Sequence, residues 1–131
     1  MKLTKTLFQI FLGINILIGL FFGLLPLINF SMVLELNQIP YSEKLVIFGV
    51  VNGVAILFLA AILMLAFYWT KKEKWEGAII GIIAGFYLFI VGILIWIYTG
   101  ESTAFMMDSI RGFLTIFLGY RVYKSLLLKQ S

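Results

Sequence analysis

Four long apolar runs alternate with three short polar breaks along this chain. The runs extend from about Leu7 to Phe30, Leu45 to Tyr68, Gly77 to Tyr98 and Ala104 to Leu128. Asn37, Gln38, Pro40, Ser42, Glu43 and Lys44 form the first break. Lys71, Lys72, Glu73, Lys74 and Glu76 form the second, and Thr99 to Ser102, with Gly100 and Glu101, the third. A helix needs about 20 mostly apolar residues to cross the hydrocarbon core of a bilayer. Each run has that length, and the short breaks make consecutive spans antiparallel neighbours. The pattern predicts an all-α protein, an integral membrane antiparallel four-helix bundle forming one transmembrane domain over residues 1–131.

Composition points the same way. Of 131 residues, 63% are hydrophobic and 12% charged, with a mean hydropathy of +1.10. Soluble domains carry about 45–50% apolar and about 25% charged residues. A chain this short cannot enclose so much apolar surface in one core, because small domains keep much of their surface exposed. Lys2 and Lys5 give the first run a basic start like that of a signal peptide. Its apolar stretch exceeds the usual 7–15 residues and no A-x-A-like site follows, so an uncleaved first span is expected.

Charge sets the expected orientation. With the N-terminus inside, Lys2, Lys5, Lys71, Lys72, Lys74, Arg121, Lys124 and Lys129 share the cytoplasmic side. Lys44 and Arg111 remain outside. The positive-inside rule then places both termini in the cytoplasm. Glu35, Glu43, Glu101 and Asp108 fall outside, while Trp69, Trp75, Trp96 and Tyr98 mark the interfaces. The net charge of +4 is read as this topology, with no nucleic-acid partner implied. A bacterial cytoplasmic (inner) membrane is the expected location, with membrane lipids as partners. The segment Met32 to Ile39 is expected to lie along the outer interface.

Glycines recur at helical spacing: Gly19 and Gly23; Gly49 and Gly53; Gly77, Gly81 and Gly85, with Gly92 on the same side; and Gly112 with Gly119. Close packing drives helix association in lipid, and small residues permit it. The row Gly77, Gly81, Gly85 and Gly92 is the first candidate for a packing or homo-oligomer face.

The segment Asp108 to Phe113 sets an acid and a base three residues apart within an apolar run. On a helical wheel Asp108, Gly112, Thr115, Gly119 and Val122 share one side, with Arg111 beside them, and the bulky aromatics lie elsewhere. Arg111 falls about 12–14 Å along the helix from Ser102 or Thr103, in the outer leaflet. Two readings follow. In one, the pair neutralises itself, snorkels to the interface and stabilises the span. In the other, Arg111 anchors an anionic or polar headgroup and Asp108 holds its orientation. Asn29, Asn52 and Glu35 would complete an outward-facing polar pocket, unless the asparagines serve as interhelical hydrogen-bond partners.

With neither cysteine nor histidine, the chain has no disulfide framework, no Cys/His zinc site and no histidine acid–base pair. Phosphate-cradling loops and dinucleotide fingerprints are missing too, so no catalytic residue, cofactor or metal is expected. The length and four spans resemble the small multidrug resistance exporters. That family's resemblance implies a glutamate in the first span, where this chain has Asn15. The glycine-rich first span with Pro26 near its outer end, the polar outer loop and three further spans with basic ends resemble the DoxX-like group of small bacterial membrane proteins. This resemblance is one of layout and carries no functional residue across. It implies an accessory or lipid-associated membrane protein. The expected function is therefore non-catalytic: an accessory subunit of a larger membrane complex or a small lipid- or amphiphile-binding protein. The alternative is a small homo-oligomeric transporter of an anionic or amphiphilic solute.

Overall fold

The computed structural model describes residues 1–36, 40–100 and 102–130. Asn37, Gln38 and Glu101, assigned above to loops, lie outside them, as does Ile39. The chain is helical, with no strand among the described residues. The elements are α1 (Lys2–Ile28), α2 (Phe30–Leu36), α3 (Glu43–Lys71), α4 (Trp75–Thr99), α5 (Ser102–Ala104), a π-helical turn (Phe105–Ser109) and α6 (Ile110–Gln130).

Three helices, Lys2–Ile28, Glu43–Lys71 and Trp75–Tyr98, are long and apolar enough to cross a membrane. The fourth apolar run folds as α5, the π turn and α6. Its helix differs from the others because Arg111, Arg121, Lys124 and Lys129 all lie on it. Its uncharged stretch between Arg111 and Arg121 is only about 15 Å long at 1.5 Å per residue.

The helix ends follow from local chemistry. Asn29 interrupts the path from α1 to α2, and its Oδ1 accepts a hydrogen bond from the Met32 N–H at 3.1 Å. This is an N-cap, satisfying a donor that the first turn of α2 would otherwise leave open. The expected interfacial segment is thus helical over Phe30–Leu36. At the other end of α3 the chain reverses through Lys72, Glu73 and Lys74. The Lys74 N–H donates to the Trp69 carbonyl at 2.9 Å and the Glu73 N–H to the Thr70 carbonyl at 3.1 Å. That pair of bonds is a Schellman motif, whose left-handed residue is usually glycine. Here it is Glu73, with φ +58°. Helix α4 ends on a true glycine: Gly100 has φ 72° and donates its N–H to the Trp96 carbonyl at 2.8 Å.

The residues cluster in two compact units. One comprises Ile14–Ala61. In it the glycines of α1 and α3 face each other: a β-carbon on Gly53 would lie 2.8 Å from the Gly23 carbonyl oxygen, and one on Gly19 would lie 3.2 Å from Ala60 Cβ. The Phe30 ring occupies the space beside Gly49.

The other unit comprises Met1–Gly13 and Ile62–Ser131. Its centre is the fully buried pair Phe8 and Leu12. The Phe8 ring sits against both Gly81 of α4 and Gly119 of α6. Lower on α4, Gly77 fits against Ala66 and Thr70 at the end of α3; higher, Gly85 meets Gly112. Gly77, Gly81, Gly85 and Gly92 are all buried, and the first three are occupied by packing within this unit. Leu63, Ala78, Ala84, Leu88, Val122 and Leu126 are buried in the same core.

Large apolar side chains cover the exterior instead. Phe48, Phe58, Phe86, Ile83, Ile97 and Phe113 are exposed. Of the most apolar window in Glu43–Lys71, only 11% is buried.

Candidate functional site

Asp108 sits in the π-helical turn and Arg111 in the first turn of α6. The Arg111 guanidinium donates to Asp108 Oδ1 at 2.8 Å, the i, i+3 pair anticipated from spacing. The Arg111 side chain is 14% exposed. Its Nε is buried and has no hydrogen-bond acceptor among the described residues. Two neighbouring bonds fix the helix beneath it. The Ser109 hydroxyl, fully buried, donates to the Phe89 carbonyl of α4 at 2.9 Å. The Thr115 hydroxyl donates to the Arg111 carbonyl at 2.8 Å. A β-carbon on Gly112 would meet Phe89 N at 2.6 Å, so α4 and α6 touch backbone to backbone at this level. The buried face of α6 is Gly112, Thr115, Gly119, Val122, Ser125 and Leu126, matching the wheel. Phe113, Phe117 and Tyr120 are exposed. A π turn widens the helix locally, and such turns recur at functional sites.

The other expected pocket residues belong to the unit Ile14–Ala61. Asn29 caps α2 and is exposed, as are Glu35 and Asn52. Of the further polar residues within the spans, Asn15 is buried and Tyr87 is exposed. Asp108 and Arg111 are thus in direct contact, whereas Asn29 has a local structural role.

A second polar feature lies at the basic end of the unit built around Phe8. The start of α1, the α3–α4 turn and the end of α6 border a solvent-open cavity of about 440 Å³. Lys2, Lys5, Arg121 and Lys129 line it together with Glu73. Val122, Ser125 and Leu126, all buried, form its floor. Lys5 Nζ donates to Glu73 Oε1 at 3.0 Å, and Lys129 Nζ lies 3.5 Å from the same oxygen. Gln130 Nε2 donates to the Glu73 carbonyl at 3.3 Å. Hydrogen bonding and charge from Lys5, then charge from Lys129, hold the Glu73 carboxyl below its ordinary value. Nearby cations rest on aromatic faces: Lys72 over Tyr68 at 4.4 Å, Lys74 over Trp69 at 5.8 Å and Arg121 over Phe117 at 5.9 Å.

Sequence reasoning gathered these basic residues on one side but not into a cavity. Lys5 and Glu73 stand far apart along the chain, and only packing of α1 beside the α3–α4 turn brings them together. The available signal was Glu73 itself, an acid between Lys72 and Lys74 where a helix-ending glycine would be usual. No group of three or more Asp, Glu, His or Cys able to hold a metal occurs among the described residues. Comparison with protein-family models, curated proteins and solved structures finds no match for this chain.

Proposed function

We propose that this chain is a multi-pass protein of the cytoplasmic membrane, crossing it four times with both termini inside, and that it acts without catalysis as a binder of an anionic lipid or amphiphile or as the accessory subunit of a membrane complex. Support for the membrane setting comes from the exterior. Exposed apolar patches on soluble monomers rarely exceed a few hundred Å², whereas these helices leave most of their apolar length uncovered. The fourth crossing is supported by the distribution of charge along α6. Arg111 is neutralised by Asp108 at one end, and Arg121, Lys124 and Lys129 sit in its last turns, where long cationic side chains reach a headgroup layer.

The binding reading rests on Arg111. Asp108 engages one arm of its guanidinium, while the buried Nε–H lacks an acceptor. A buried donor left open costs free energy, and a headgroup oxygen would satisfy it. Arginine is suited to this because its planar fork keeps several donors on one charged group.

The test is purification of the full chain in mild detergent, followed by native mass spectrometry. A stoichiometric lipid lost in Arg111→Gln is the expected result. A foreign subunit that persists instead assigns the accessory role. Solute flux in liposomes abolished by the same substitution assigns transport, the alternative use of the same residue. If Arg111→Gln and Asp108→Asn both leave folding, bound lipid and flux unchanged, the pair is an interfacial neutralisation only. Reporter fusions placing the two termini on opposite faces would overturn the topology.

A further inference from the structure

We infer that the cavity at the basic end binds a phosphate-bearing anion, and that Glu73 is a resident counter-anion which this ligand displaces. The site is separate from Arg111 and does not depend on its role.

The first observation is the donor set. Lys2, Lys5, Arg121 and Lys129 face one space of about 440 Å³, a size that holds a small ligand or a lipid headgroup. Ser125, buried in the floor, adds a hydroxyl. Four cationic side chains against one carboxylate leave the lining strongly positive. Like charges gathered this closely repel one another, and a multiply charged anion relieves that repulsion better than a single carboxylate.

The second observation is independent of charge. Glu73 occupies the left-handed position that ends α3, with φ +58°. A glycine there would avoid the steric cost that an L side chain meets. The unfavourable residue stands where its carboxylate meets the lysines, 3.0 Å from Lys5 and 3.5 Å from Lys129. Strained backbone is often found at sites with a function. Both lysines remain partly exposed, with side chains 25% and 55% accessible, so an incoming phosphate can reach them. Such a ligand would accept from the ammonium groups that now hold Glu73, and the released carboxylate would turn to solvent. The phosphate could belong to a lipid of the adjoining leaflet or be free in solution; the recognition chemistry is shared.

Binding is measured on the full chain in neutral detergent. Native mass spectrometry follows titration with dioctanoyl phosphatidic acid, using dioctanoyl phosphatidylcholine as the comparison. A parallel arm follows tryptophan fluorescence on titration with inorganic phosphate. Phosphatidic acid should bind in preference to phosphatidylcholine if the source is lipid, and inorganic phosphate should saturate if the source is free. Glu73→Gln should tighten binding in the responding arm by about three- to fivefold, the scale of an exposed ion pair. The double substitution Lys5→Gln/Lys129→Gln should weaken it about tenfold. Glu73→Gly removes the same carboxylate in a residue suited to the turn, and should tighten binding likewise should Glu73→Gln fold poorly. Repeating the titrations in an Arg111→Gln background removes any lipid held by Arg111, so the effects of Glu73 and of Lys5 with Lys129 report the basic-end cavity alone and the two sites succeed or fail separately. Failure of both anions to bind, or unchanged or weaker binding when the Glu73 carboxylate is removed, overturns the proposal and leaves Glu73 as a structural ion pair.

Discussion

Lys5 Nζ lies 3.0 Å from the Glu73 carboxylate, joining residues 68 positions apart in the sequence. The contact closes the start of α1 onto the turn between α3 and α4, and Lys129 reinforces it from the end of α6.

The pair should make stability depend on pH in a defined direction. Lys5, and then Lys129, lower the folded-state pKa of Glu73 from its ordinary value of 4.5. A carboxylate so depressed stabilises the folded state fully above its unfolded-state pKa, and the contribution is lost as pH falls through the folded-state pKa. Thermal unfolding in detergent should show wild type melting above Glu73→Gln by a constant margin from about pH 6 to about pH 7.5. That margin should shrink below about pH 4.5 and disappear under stronger acid. It should also shrink in about 1 M salt, since the pair is exposed to solvent. A margin that grows on acidification would contradict the assignment.

The backbone of the same residue gives a second prediction. Glycine at position 73 escapes the left-handed penalty of about 1 kcal/mol. Glu73→Gly and Glu73→Ala remove the same carboxylate and differ chiefly in backbone freedom. Glu73→Gly should therefore be the more stable of the two by about 1 kcal/mol in a denaturant titration. Equal stabilities would mean that the turn relaxes away from φ +58°.

Close approach of α4 and α6 at Gly112 predicts a steric effect. A β-carbon there would lie 2.6 Å from Phe89 N, and backbone yields little. Gly112→Ala should cost about 1–3 kcal/mol by overpacking. Gly13 offers the contrast, because no atom of the described residues stands within 4 Å of its missing β-carbon. Gly13→Ala should be neutral or stabilising by up to about 1 kcal/mol, since alanine is the better helix former. The two variants can be compared by unfolding in mixed micelles.

Asp108 and Arg111 should be energetically coupled. Removing either partner leaves the other charged and half-buried, so Asp108→Asn and Arg111→Gln should each destabilise by about 1–3 kcal/mol. The double variant should cost less than the sum, with a coupling of about 1 kcal/mol or more in a double-mutant cycle. Strict additivity would show that water or lipid already screens the pair.

Local pattern determined much of this protein. Apolar runs fixed the helices, because satisfying backbone polar groups within each segment requires it in an apolar setting. Helical period fixed which face of α6 turns inward, and i, i+3 spacing fixed the Asp108–Arg111 pair, since both depend on residues within one turn of each other. The capping of α2 by Asn29 through Met32 was not legible, because it depends on where α1 stops. The π turn before α6 was not legible either, for it arises where Ser109 anchors to Phe89 on a different helix. Tertiary packing alone decided how the glycine row of α4 is used, setting Gly81 against Phe8 and Gly85 against Gly112. It also decided that dispersed lysines and Arg121 line one open cavity together with Glu73. Periodicity records what each helix presents on its faces; which faces and ends meet is set by side-chain shape and charge across helices distant in sequence.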